Sequence, residues 1–183
     1  MSREVVVVSS VRTAIGTFGG SLKDIAPTEL GAQVVREALK RANTDGKDVG
    51  HVVFGHVVNT EPKDLYLSRV AAINAGCSEG TPAFNVNRLC GSSMQALHTA
   101  AQSIMTGNGD VFVIGGVEHM GHVEMTHGVD LNPEASKYVA KASNMMGLTA
   151  EMLGRMHGIS RQAMDEFGAR SHRLAWEATQ EGR

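Results

Sequence analysis

Residues 84–107, FNVNRLCGSSMQALHTAAQSIMTG, place one cysteine where an apolar strand gives way to a helix. AFNV (83–86) reads as a short strand, while Met94, Leu97, Ala101 and Ile104 recur at helical spacing and anchor the helix on a core. Between them stand Cys90 and three small residues, Gly91, Ser92 and Ser93. Outward from this junction, strands and helices alternate. Val5–Val8 is a continuous apolar run, the pattern of a strand buried on both faces. A Gly-rich loop, RTAIGTFGGSLKD (12–24), follows it. Pro27 and Thr28 open a helix with Leu30, Val34 and Ala38 on one stripe and Glu37 and Arg41 four apart on its surface. HVVFGHVV (51–58) is the next strand, LYLSRVAAINAG (65–76) the next helix, and DVFVIGG (110–116) the strand after the Cys90 helix. This alternation predicts an α/β fold with a mostly parallel sheet covered on both faces.

The character changes after Gly116. VEHMGHVEMTHGVDLNPEASKYVAKASNMMG (117–147) is polar, rich in Met and His, and weakly periodic, as an insertion over the sheet would be. A last helix starts near Ser160, with Met164, Phe167, Leu174 and Ala178 on one face, and runs to the end of the chain. That ending reads as a fragment.

Composition narrows the function classes. With 183 residues, 42% hydrophobic and 20% charged, the chain is long enough for a real core and reads as soluble and globular. The net charge of −2 and the lack of a basic block give no footprint for nucleic acid. No apolar run reaches the ~20 residues of a membrane span, and MSREVVVVSS is too short and polar for a signal peptide. Cys77 and Cys90, far apart, read as reduced thiols in a cytoplasmic protein.

The thiolate is the nucleophilic form of cysteine, and an ordinary thiol, pKa ~8.5, is mostly protonated at neutral pH. A helix N-terminus stabilises an anion by roughly 0.3–1 kcal/mol, less than one pKa unit's worth. A thiol placed for attack therefore needs a base as well. The rest of the junction suits chemistry. Gly91, Ser92 and Ser93 leave room for a thioester, the Cys90 amide can donate to an oxyanion, and ligands collect at the carboxyl ends of parallel strands. The plainer alternative is a buried core thiol, the ordinary state of free cysteine and the reading for Cys77. His98 lies eight residues along the same helix, ~12 Å away, and cannot serve as base. His51 and His56 read as structural. His119, His122 and His127 follow a strand and reach toward the crevice, but H-x2-H-x4-H is not a metal spacing, and they read as loop histidines making local hydrogen bonds. Gly16, Gly19 and Gly20 match neither a dinucleotide nor a Walker loop and read as a turn. Met120, Met125, Met145, Met146, Met152 and Met156 would together make an adaptable apolar wall, and singly are ordinary packing.

Four collinear stretches resemble one family. VVVVSSVRTAIGTFGGSLKD (5–24), NVNRLCGSSMQALHTAAQSIMTG (85–107), GGVEHMG (115–121) and MMGLTAEMLGRMHGISRQAMDEFGARSH (145–172) look like the N-terminal half of a thiolase. Residues 118–172 are similar to the thiolase subunit of bacterial fatty-acid oxidation complexes. The first sixty residues are equally similar to acetyl-CoA acetyltransferases and related short-chain 3-ketothiolases. The resemblance implies a thiolase-like αβα fold, with residues 1–117 as the N-terminal core domain lacking its last strand. Residues 118–183 would be part of the loop domain, and the C-terminal domain would be absent. It implies a ping-pong acyl transfer in fatty-acid metabolism. Cys90 attacks a 3-ketoacyl-CoA, releases acetyl-CoA and hands the acyl group to a second CoA, or the reverse. Met146 would lie against pantetheine and the acyl chain. Met145 stands where many short-chain thiolases carry His, which favours a longer or more apolar acyl group. No cofactor or metal is implied, CoA being a substrate. The implied partners are acyl-CoA and CoA, further copies of the chain as a dimer or tetramer, and a fatty-acid oxidation complex. The family's base histidine (in Gly-His-Pro), second cysteine and Asn-Glu-Ala-Phe motif belong to the half not represented here. The expectation is that this chain alone does not turn over and is prone to aggregate. Two other readings compete: an assembly fragment without catalysis, and a papain-type hydrolase with His119 or His122 as base.

Overall fold

The computed structural model describes residues 3–125, 132–140 and 145–183, in two compact units, Met1–His127 and Gly128–Arg183, each taken by itself below. The first unit is built on a three-stranded parallel sheet of β1 (His51–Gly55), β2 (Ala83–Val86) and β3 (Phe112–Gly116), ordered β2-β1-β3. Val53 pairs with Phe84 on one side and Ile114 on the other. Helices α1 (Pro27–Arg41), α2 (Leu67–Asn74) and α3 (Ser92–Met105) form the covering layers. The mixed α/β architecture with a parallel sheet is the one the alternation predicts.

Side-chain alternation sorts the layers. Val52 and Phe54 of β1 point to one face and join Val35 and Leu39 of α1 with Leu67 and Ala72 of α2 in one core cluster. Val53 and Gly55 point to the other face, where α3 lies. Because both faces are covered, Val52, Val53 and Phe54 are all fully buried. Burying such side chains stabilises by about 1.5–3 kcal/mol each. Helix α1 begins with Pro at its first position and Glu29 in its first turn, ends with Lys40 and Arg41, and carries the Glu37–Arg41 pair at 2.7 Å. Its buried stripe runs through Thr28, Gly31, Val35 and Leu39. The stripe expected through Leu30, Val34 and Ala38 is offset from it: Leu30 is buried while Val34 and Ala38 are half-buried on the flank.

Two further expectations are corrected. Val5–Val8 forms no strand; Val6, Val7 and Val8 are 66–73% exposed. A run apolar on both faces asks for burial but does not fix a register of backbone hydrogen bonds to a neighbouring strand, and no such ladder joins it to the three-stranded sheet. The segment instead walls a cavity of about 700 Å³, whose far side includes Val34, Leu97, Ile104 and Ile114. The second correction concerns α3. Its buried positions are Ser92, Ala96 and Ala100, whereas Met94 is exposed and Leu97, Ala101 and Ile104 are half-buried along that cavity. At its start the helix rests on the glycines that end β1 and β3, which leave room for Ser92 and Ser93.

The second unit contains α4 (Met146–Met156), absent from the sequence reading, and α5 (Arg161–Gln180), which starts where expected. The Ser160 hydroxyl caps α5 by accepting from the Ala163 amide at 3.2 Å. Gly154 is the one buried residue of α4, and α5 has none, leaving Phe167 and Trp176 more than 60% exposed.

Candidate active site

Cys90 is exposed, in the turn between β2 and α3. Helix α3 starts at Ser92 with Gly91 as its N-cap, so the sulfur sits just ahead of the first turn instead of within it. The residue before it, Leu89, has φ +47, a left-handed conformation unusual for a branched side chain. Such a backbone persists only where its surroundings over-determine it. Here they do. The Leu89 amide donates to Asn87 Oδ1 at 3.0 Å. The buried Ser92 hydroxyl accepts from the Arg88 amide at 2.8 Å and donates to the Leu89 carbonyl at 2.6 Å. The Gly91 and Ser92 amides donate to the carbonyls of Arg88 and Leu89, each at 3.0 Å.

Glycines bring α3 down onto the strand ends. A Cβ on Gly55 would lie 2.6 Å from the Ser93 nitrogen, and one on Gly116 would run into the Ser93 hydroxyl. On the other face, a Cβ on Gly115 would strike the Phe54 ring at 2.6 Å. The ends of β1 and β3 are bare so that the turn carrying Cys90 can rest on them.

Polar side chains brace the same end of the sheet. Glu118, just after β3, accepts from the Val57 and Val58 amides at 3.0 Å each. Asn87 donates to the Val57 carbonyl at 3.2 Å. Buried His56 hydrogen-bonds the Val117 carbonyl through Nδ1 at 2.8 Å. Asp64 is fully buried and accepts from the Thr60 hydroxyl at 2.6 Å and the amides of Thr60 and Glu61 at 2.8 and 3.0 Å. Burial pushes the Asp64 carboxyl up, but these donors and nearby His56 outweigh it and hold the group below the usual carboxylate range.

The histidines separate by position. His51 lies edge-on to Phe84 and stacked on Phe112, and burial lowers its pKa. His119 and His122 stack at 3.6 Å and bond the carbonyls of Leu22 and Lys23, at 3.1 and 2.5 Å. Those partners lie about a hundred residues back, so the pair clamps the end of the Gly-rich loop and is not locally bonded as expected. Gly19, at φ +66, and the Gly20 amide on the Thr17 carbonyl give that loop the expected turn. His127 lies outside the described residues. Among the described residues, no histidine is hydrogen-bonded to Cys90. Cys77 is buried, and burial raises its thiol pKa.

Sequence comparison resolves what this turn belongs to. Residues 5–183 match the model of the thiolase N-terminal domain. The chain belongs to the thiolase family. It is 56% identical over 183 residues to a 3-ketoacyl-CoA thiolase of Alcanivorax borkumensis, a match covering 99% of this chain and 47% of that protein. Among solved structures, the Bacillus anthracis acetyl-CoA acetyltransferase superposes with a TM-score of 0.84 at 34% identity, covering 99% of this chain and 49% of that one. Human mitochondrial 3-ketoacyl-CoA thiolase in complex with CoA gives 0.83 at 28%, covering 96% and 48%. The chain thus spans about half the length of the thiolases it matches. Met145, the N-cap of α4, and Met146, its first residue, are both exposed and lie in the second unit.

Three parts of the site escaped the sequence reading. Asn87 had a signal, an Asn two residues ahead of a turn amide. Ser92 was read only as small, although its hydroxyl is what locks the turn. Glu118 carried no local signal, since its partners are 60 and 61 residues away.

Proposed function

We propose that this chain is the nucleophile-bearing half of a 3-ketoacyl-CoA thiolase, with Cys90 as acyl acceptor. The observation that carries the reading is the exposed cysteine held on a strained, fully braced turn at the carboxyl ends of a parallel sheet. In the forward direction the Cys90 thiolate attacks the 3-keto carbon. The C2–C3 bond breaks, its electron pair leaves on C2 and is protonated, and acetyl-CoA departs, leaving an acyl thioester on Cys90. The thiolate of a second CoA attacks that thioester, releasing a shortened acyl-CoA and the Cys90 thiolate. Reversal condenses two acyl-CoAs. The Cys90 amide is the proposed oxyanion donor, and Met146 with Met145 the proposed contacts to pantetheine and acyl chain. No cofactor enters this scheme.

The proton acceptor comes from outside the described residues. His119 and His122 are committed to backbone carbonyls and His98 is far down α3, which also disfavours a papain-type hydrolase. The proposal extends to the setting: a cytoplasmic thiolase of fatty-acid degradation, working as a homo-oligomer and within an oxidation complex. It also includes residues 1–117 as core domain and 118–183 as part of a loop domain. Apolar surface on Val6–Val8 and α5 supports an aggregation-prone isolated chain, and an assembly fragment remains the second reading. The test combines two measurements on the purified chain. Acetyl-CoA is expected to slow iodoacetamide labelling of Cys90, while acetoacetyl-CoA with CoA gives no turnover. Labelling indifferent to acetyl-CoA would refute the site, and CoA-dependent thiolysis would refute the external base.

A further inference from the structure

The backbone ladder of the sheet ends with the Val117 amide on the Gly55 carbonyl at 3.2 Å and the His56 amide on the Val86 carbonyl at 3.1 Å. Beyond it, side chains add one more rung in the order of the strands. Glu118 follows β3 and clamps the Val57 and Val58 amides after β1, 3.0 Å each. Asn87, after β2, reaches the Val57 carbonyl with its amide nitrogen at 3.2 Å and holds the Leu89 amide with its oxygen at 3.0 Å. One line of hydrogen bonds therefore runs from a carboxylate on the far strand, across the middle strand, to the residue before Cys90.

We infer that Glu118 is a positioning residue for Cys90, acting through the Val57–Val58 backbone and Asn87 on the left-handed turn at Leu89. The inference rests on the reading of Cys90 as acyl acceptor. The chemistry of the rung makes it directional. A carboxylate is acceptor-only and meets two adjacent amide donors with charge-assisted bonds. Glutamine in its place presents an NH2 to one of those amides, so one bond is replaced by two opposed donors. The Val57 carbonyl then loses its fixed place, and with it the anchor that sets the Asn87 rotamer. Leu89, at φ +47, loses one of the bonds that hold its unfavourable conformation when the Asn87 oxygen moves, and the turn shifts about the Ser92 anchors that remain. Attack on a thioester carbonyl demands alignment that collision with a small alkylating agent does not.

The experiment measures acetyl transfer from acetyl-CoA to Cys90 by mass spectrometry at about pH 9, where solvent ionises ordinary thiols without a protein base. E118Q and N87A are each expected to lower the saturating transfer rate about tenfold with the half-saturating acetyl-CoA concentration unchanged. The double variant is expected to lose no more than about tenfold, because both cuts fall on one line. Iodoacetamide labelling of Cys90 is expected to stay within about twofold throughout. T81V, which removes a buried hydroxyl bond to the Val49 carbonyl, away from the Cys90 turn, lowers stability and leaves transfer unchanged. Wild-type transfer rates in E118Q, losses that multiply in the double variant, or labelling that falls in parallel with transfer would overturn the inference. N87A, altering an exposed side chain, decides the matter if E118Q fails to fold. Failure of the wild-type chain to accept acetyl would instead refute the acyl-acceptor reading.

Discussion

Gly55→Ala is the sharpest perturbation of the junction between sheet and nucleophile. The added methyl would sit 2.6 Å from the Ser93 nitrogen, 2.7 Å from the Ser92 carbonyl carbon and 2.8 Å from Ser92 Cβ, two of them backbone atoms that cannot swing aside. Restoring ordinary contact requires α3 to back away by roughly 0.8 Å, the gap between 2.6 Å and a van der Waals separation of about 3.4 Å. Overpacking of this kind costs about 1–3 kcal/mol, or roughly 2–12 °C in Tm for a chain of this size. A displacement near 1 Å of a reacting group costs up to about a hundredfold in rate. Two assays read the two effects: thermal unfolding by circular dichroism, and acetyl transfer from acetyl-CoA to Cys90. Gly147→Ala supplies the opposite sign. It lies in the first turn of α4 with nothing within 4 Å of the added methyl, so it is expected to be neutral or stabilising. A Gly55→Ala chain with unchanged Tm and unchanged transfer would refute the claim that bare strand ends set the position of Cys90.

Stability should fall toward acid in two stages. His51, whose pKa burial lowers, takes up its proton more readily when unfolded, so stability declines as pH drops below about 6.5. Asp64, held low in the fold, adds stability that is complete above its unfolded pKa of about 4 and is lost as pH falls through its folded value. Urea titrations across pH 3–8 check both, and Asp64→Asn should remove the lower stage. The thiols should part company under native conditions. Cys90 is expected to label rapidly with iodoacetamide, whereas Cys77, buried and shifted up, labels only at the rate of unfolding. Equal labelling of the two in native buffer would contradict this. Val7→Lys, at a position 73% exposed, should reduce self-association by light scattering and change Tm by no more than the small shift of a surface substitution.

The parts of the fold legible in the sequence are those in which local pattern and tertiary environment agree. β2 is the AFNV tetrad itself, and α1 has its Pro, its acidic start and its basic end where propensity puts them. Val5–Val8 misled because an apolar run specifies burial without specifying a partner. The stripe on α3 misled because size alone does not pick the core face: the helix meets Gly55 and Gly116 through Ser92 and Ser93, and its further buried positions are Ala96 and Ala100. Helix α4 was hidden because Gly147 and Gly154 lower its helix propensity and its Leu148, Met152 and Met156 row stays exposed, so no core-facing stripe marks it. At the junction, the placement of Cys90 between β2 and α3 was legible from the local pattern, whereas its role as nucleophile rests on the resemblance of NRLCGSS to the family. Asn87 and Glu118 act only through contacts made once three strands are side by side, and one sequence carries no trace of that register.

The central claim is that Cys90 takes an acyl group from a CoA thioester, and mass spectrometry of the chain after incubation with acetyl-CoA at about pH 9 tests it most directly. The predicted result is a single acetyl group on the peptide containing Cys90, absent from Cys90→Ser and discharged by added CoA. Acetylation that persists in Cys90→Ser, or that falls on Cys77 instead, would contradict it.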